Sequence, residues 1–180
     1  MTSLLLSDYD ARCAGGSDIV GHLPYLYQRA LATDGYLVEL GVRSGESTCA
    51  FLAALAASDT GFLYSVDIDN PRWYFVQGDD MILAQADGVL PDEVDLLFID
   101  SSHQYQHTYD ELNLYGARVE DGGVILLHDT DLEVAPGSVR DEDKDFPVRR
   151  AVQEWCREHG LTPEFREGWH GLGVIEVNRG

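Results

Sequence analysis

The feature of this 180-residue chain that most constrains its fold is the alternation of apolar runs with amphipathic segments. "YLVELGV", "GFLYSVDI", "VDLLFID", "EDGGVILLHDT" and "GLGVIEV" read as strands, the apolar runs among them being near-continuous as expected for burial on both faces, and "RWYFVQGDD" adds a short third strand. Between them "IVGHLPYLYQRALA", "STCAFLAALAAS", the tyrosine-rich stretch after Asp100 and "PVRRAVQEWCREHG" read as helices, the first ended by "TDG" and the last by a glycine. Strands alternating with helices predict an α/β domain spanning 1–180, with a mostly parallel sheet covered by helices on both faces. "DLEVAPGSVRDEDKDF" has no period, so 131–147 is expected to be a loop and a candidate lid over a substrate.

The formal net charge of -20, from 32 acidic against 12 basic residues, opposes docking onto a phosphate backbone, so no nucleic-acid partner is expected. The three cysteines, Cys13, Cys49 and Cys156, form no C-x-x-C pair, and the start "MTSLLLSDYD" is too short for a membrane span or a secretory core. A cytoplasmic protein with no membrane partner is the expectation.

In a doubly wound sheet, ligands bind outside the carboxyl ends of the strands. The residues that matter most are therefore Glu39, Asp67, Asp79, Asp100, His128 and Asp129. In "ELGVRSGEST", Gly41 and Gly45 let the backbone turn tightly beside a bound molecule. The spacing is not the dinucleotide fingerprint G-x-G-x-x-G, and Glu39 would repel a pyrophosphate and suit a cationic ligand. Asp67 is placed to accept hydrogen bonds from a ribose. The stretch "IDSSHQYQHTYDELNLY" admits two readings. His103, His107 and Asp110 would stack along one helix face as metal ligands, or Asp100 closes a strand, His103 sits at a helix start, and His107 belongs to a packing helix.

Together "ELGVRSG", "VDID" and "QGDD" resemble the class I S-adenosylmethionine-dependent methyltransferases. "IDSSHQY" followed by "DGGVILLHD" resembles the branch of sugar and antibiotic O-methyltransferases, the methyltransferase 24-like family. The resemblance implies a Rossmann-like fold and S-adenosylmethionine as cofactor. It implies that Glu39 faces the methionine amino group, that Gly41 and Gly45 frame the cofactor, and that Ser44, Ser47 and Thr48 contact its carboxylate. Asp67 would take the ribose and Asp79 the adenine amine, with Asp100 also at the cofactor. It further implies transfer of the methyl group to a hydroxyl of a small molecule, a sugar or secondary metabolite, with Asp100 and His103 assisting deprotonation. Mg²⁺ or another divalent cation would be held by Asp100, His128 and Asp129, although two adjacent acids or an Asp-Asn pair are usual in related metal-dependent enzymes where His128 and Thr130 flank Asp129 here. The site would be open or completed by a second copy of the chain. Two other classes fit less well: a noncatalytic module that binds the cofactor without turnover, and a nicotinamide-dependent enzyme.

Overall fold

The computed structural model describes residues 2–68, 76–77, 79–84, 88–133 and 146–180. Among the described residues, six α-helices and seven strands run in the order α1 (Thr2–Cys13), α2 (Leu23–Leu31), β1 (Tyr36–Leu40), α3 (Glu46–Ser58), β2 (Phe62–Asp67), β3 (Val76–Gln77), α4 (Asp80–Leu83), β4 (Val94–Ile99), α5 (Tyr105–Leu114), β5 (Val119–His128), α6 (Pro147–His159), β6 (Glu164–Arg166) and β7 (Leu172–Glu176). The strands form one sheet in the order β3-β2-β1-β4-β5-β7-β6. The first five are parallel, whereas β7 runs antiparallel to both β5 and β6. The chain winds outward from β1 through β2 to β3, then crosses back to β4 on the other side. The strand order reverses between β1 and β4, and their carboxyl ends splay a crevice there.

Alternate residues of the central strands feed two cores. Val38, Leu40, Leu97 and Ile99 pack with Leu112, Tyr115, Val152 and Trp155 from α5 and α6. Leu37, Leu96, Phe98 and Leu126 pack on the other face with Leu23, Leu26 and Phe51 from α2 and α3. The period of two along each strand, with both phases apolar, is why the runs look continuous in the sequence. Each such side chain contributes on the order of 1.5–3 kcal/mol through burial.

Three local features depart from the periodicity. Pro24 cannot supply a backbone N–H, and the first predicted helix begins as a separate 3-10 turn, Val20–His22, ahead of α2. The stretch Thr2–Cys13 forms α1, which stacks Tyr9 on Tyr27 at 4.9 Å. A short strand, β6, pairs with β7 where the sequence showed only "EFR" between turns. Most of the predicted third strand and of the candidate lid lies at residues 69–75 and 134–145, outside the described residues. Among the described residues no helix is long and apolar enough to cross a membrane.

Trp155 ties α6 to the sheet: it is buried, its indole N–H donates to Asn113 Oδ1 at 3.1 Å, and its ring fills the space beside Gly116. Trp155→Ala should lower stability by about 3–5 kcal/mol, measured by chemical denaturation, because the cavity cannot collapse between a helix and a sheet.

Candidate active site

The turn after β1 is set by two constraints. Gly41 has φ +86°, and a Cβ there would lie 2.0 Å from the Asp100 carbonyl oxygen, so only glycine lets β1 and β4 end side by side. Gly45, at φ 78°, caps the start of α3. Between them the amides of Val42 and Arg43 donate to Asp67 Oδ2 at 2.7 and 3.1 Å. The acid at the tip of β2 thus holds the glycine turn while lining the crevice, an open space of about 460 Å³. Asp79 lines it as well, and its carboxylate caps α4 by accepting from the amides of Met81 and Ile82 at 3.0 and 3.3 Å.

Glu39 lies behind this turn, completely buried. It accepts from the hydroxyls of Ser47 at 2.6 Å, Thr48 at 2.8 Å and Ser65 at 2.5 Å. The resemblance implied that Glu39, Ser47 and Thr48 face the cofactor; in the structure their side chains are buried and bonded to one another. Ser44 donates to Glu46 Oε2 at 2.5 Å. Ser65 was not singled out from sequence, although it is the polar residue inside the run "FLYSVD" and stands in register beside Glu39. Burial pushes the Glu39 carboxyl up to about 7 against the pull of its hydroxyl donors.

At the tips of β4 and β5 a second constellation forms. Asp100 and Asp129 share the ring of His128, whose Nδ1 lies 3.3 Å from Asp100 Oδ1 and 3.3 Å from Asp129 Oδ2. The Nε2 of the same ring faces the Trp169 carbonyl oxygen at 2.9 Å. Burial disfavours the charged ring, but the two carboxylates outweigh it and raise His128 to about 10. With an acceptor at each nitrogen, the protonated ring of His128 donates on both sides.

His103 instead reaches into the cluster, its Nε2 2.8 Å from Asp129 Oδ2. The hydrogen bond to Asp129 raises the His103 pKa, with burial opposing. Burial would raise Asp129, yet the hydrogen bonds from His103 and His128 hold it well below the usual carboxylate range. Burial raises Asp100 despite the contact with His128. The donor atoms of Asp100, His103 and Asp129 all lie within 4.8 Å of one another.

His170 also contacts this cluster, with Nδ1 3.2 Å from Asp129 Oδ1. It is brought there by a turn in which Gly168, Trp169, His170 and Gly171 all have positive φ. The flanking glycines of "GWHG" were the available signal for that turn, but nothing in them said which strand tip the histidine would meet. His107 sits on α5 away from this cluster, facing Asp80 at 3.2 Å and Glu111 at 3.6 Å. The helix α5 starts only at Tyr105, so His103 precedes it and the single helical face of His103, His107 and Asp110 does not form.

A parallel sheet that reverses between β1 and β4 and ends in an antiparallel β7, with acids at the tips of β2, β4 and β5, is the class I methyltransferase fold. A family model for a methyltransferase domain matches residues 38–130, more than half of the 180-residue chain, and the chain belongs to this family of S-adenosylmethionine-dependent methyltransferases. Among solved structures it resembles the O-methyltransferase NovP at 16% identity and TM-score 0.68, over 89% of this chain and 81% of that one. It resembles MycE, a methyltransferase of the mycinamycin biosynthetic pathway solved with Mg and SAH, at 17% identity and TM-score 0.70, over 99% of this chain and 55% of that one. A putative caffeoyl-CoA O-methyltransferase from Staphylococcus aureus is similar at 16% identity and TM-score 0.64, over 86% and 82% of the two chains. An uncharacterized protein of Acanthamoeba polyphaga mimivirus is 48% identical over 40 residues, 22% of this chain and 18% of the viral one.

The raised pKa of Glu39 has a definite sign in stability. The unfolded carboxyl loses its proton near 4.5 and the folded one near 7, so between these values the folded state binds more protons and stability falls as pH rises. Glu39→Gln removes this dependence. The stability of wild type relative to Glu39→Gln, from denaturation at a series of pH values, should drop by up to about 3 kcal/mol between pH 4.5 and 7.5 and then level off.

Proposed function

We propose that this protein transfers a methyl group from S-adenosylmethionine to a hydroxyl of a small molecule. The observation that carries the reading is the crevice at the strand-order reversal, lined by Asp67 and by His103, which pairs with Asp129. Asp67 takes the ribose hydroxyls, Asp79 the adenine amine, and Gly41 and Gly45 let the backbone approach the methionine part. Glu39, Ser47 and Thr48 act on the cofactor through the shape and charge of this turn, and Asp100 closes the crevice beside it.

Methyl transfer needs an oxygen nucleophile in line with the sulfonium carbon. Orientation in a crevice of this kind supplies roughly 7–11 kcal/mol of the barrier. The acceptor hydroxyl must also lose its proton. His103 Nε2 is held by Asp129, so Nδ1 is the ring's remaining basic nitrogen, and His103 is the general base of this reading with Asp129 orienting it. The related methyltransferase MycE has been solved in complex with mycinamycin VI together with Mg and SAH, which supports a small-molecule acceptor for this chain as well.

The carboxylates of Asp100 and Asp129 fit a divalent cation, with the imidazoles of His103 and of the expected His128 both beside them. An ion that took His103 Nε2 would replace the general-base role of that ring. When bound there, the ion would supply Lewis acidity toward the acceptor oxygen. Magnesium titrated into the protein in a calorimeter should give heat that Asp129→Asn removes; heat that persists in this variant places the ion elsewhere.

Asp67→Ala should weaken S-adenosylmethionine binding by roughly 2–4 kcal/mol in calorimetry, and unchanged affinity would remove the assignment of the crevice. His103→Ala should lower the rate of S-adenosylhomocysteine release, measured with a panel of hydroxylated metabolites, by about 10²- to 10⁴-fold while leaving cofactor affinity near wild type. A variant that keeps full turnover sinks the general-base role.

A further inference from the structure

Away from the strand-tip cluster, the wall of the crevice between α4 and α5 holds a group of charges that methyl transfer does not use. His107 Nε2 stands 3.2 Å from Asp80 Oδ2 and 3.6 Å from Glu111 Oε1, and the donor atoms of the three residues lie within 4.8 Å of one another. His107 and Glu111 are one helical turn apart on α5, which brings an imidazole and a carboxylate to the same face. Asp80 is anchored opposite them, since its backbone carbonyl accepts from the Tyr115 hydroxyl at 2.5 Å.

The charges in this group do not balance. One imidazolium compensates one carboxylate, and among the described residues no lysine or arginine pairs with Asp80 or Glu111. Glu111 is fully buried; its Oε1 accepts from the Ser101 hydroxyl at 2.5 Å, while its Oε2 is buried without any hydrogen-bond partner. A buried carboxylate oxygen left bare costs on the order of 1–3 kcal/mol or more, a cost that a proton shared between Glu111 and Asp80 or a cation bound in its place relieves. The spacing also admits a metal ion: ligands about 2.1 Å from a tetrahedral zinc ion lie about 3.4 Å from one another, against 3.2 and 3.6 Å from His107 to its two acids.

We infer that Asp80, His107 and Glu111 form a second cation site, built for a divalent first-row transition metal such as zinc, at the wall of the crevice. One imidazole and two carboxylates are a ligand set such ions accept. Asp80 and His107 line the crevice while Glu111 lies behind them, so the fourth position opens toward the crevice and a water or a bound molecule completes it. The site is separate from the methyl-transfer chemistry and stands whether or not that reading holds.

The test loads chelator-treated full-length protein with cobalt(II), whose visible absorption reports tetrahedral coordination. Wild type should give the tetrahedral band at one equivalent. His107→Ala and the isosteric Glu111→Gln, each checked as folded by circular dichroism, should lose the band and weaken cobalt binding by at least about tenfold. Asp129→Asn, which alters the strand-tip cluster, should keep it. Absence of a tetrahedral band in wild type, its survival in either His107→Ala or Glu111→Gln, or its loss in Asp129→Asn overturns the proposal. S-adenosylhomocysteine binding, measured in the same samples, reports the crevice reading independently of the metal result.

Discussion

The buried carboxylate of Glu39 is the interaction on which the arrangement of the crevice depends. A carboxylate placed in the interior without partners would cost several kcal/mol. Here it draws hydroxyls from two residues of α3 and one of β2, so a strand, its neighbour and the following helix converge on a single group. That convergence sets where the turn after β1 runs. The turn in turn presents two amides to Asp67 and leaves Gly41 against the end of β4. The polar centre thus converts a generic parallel sheet into one with a defined opening.

The second theme is how a chain this acidic keeps carboxylates together. With 32 acids and 12 lysines and arginines, most acids can stay solvated, but those at strand tips cannot. Histidine supplies the missing positive charge: four of the six, His103, His107, His128 and His170, contact a carboxylate. Unlike arginine, histidine can give up its proton to a reaction or its lone pair to a metal. A site balanced by histidines is therefore chemically poised in a way that one balanced by arginines would not be. His128 is the exception, because acceptors on both nitrogens commit it to holding Asp100, Asp129 and the Trp169 carbonyl in place.

Much of the architecture was legible in the sequence. The strands β1, β2, β4, β5 and β7 and the helices α3 and α6 follow from runs whose apolar period and stop signals are local properties. The strand-tip acids could be named for the same reason, since the residue that ends a buried run marks the carboxyl edge of a parallel sheet. The helix α1 and the short β6 escaped, because neither has a period or composition that stands apart from a loop, and both are held by contacts with distant elements.

What the sequence by itself determined is the type and order of the elements, and hence which residues could reach the crevice. Pairing among those residues was decided only in three dimensions. Nothing local distinguishes Ser65 beside Glu39, His170 on Asp129, or His107 on Asp80, since the partners are 26, 41 and 27 positions apart in the chain. The same holds for His103 and His128, whose rings meet the same Asp129 carboxylate although only His128 also bonds Asp100 and the Trp169 carbonyl. The physical reason is that secondary structure answers to neighbours along the chain, whereas the charge state and bonding of a buried polar group answer to whatever the packing of other strands and turns places beside it.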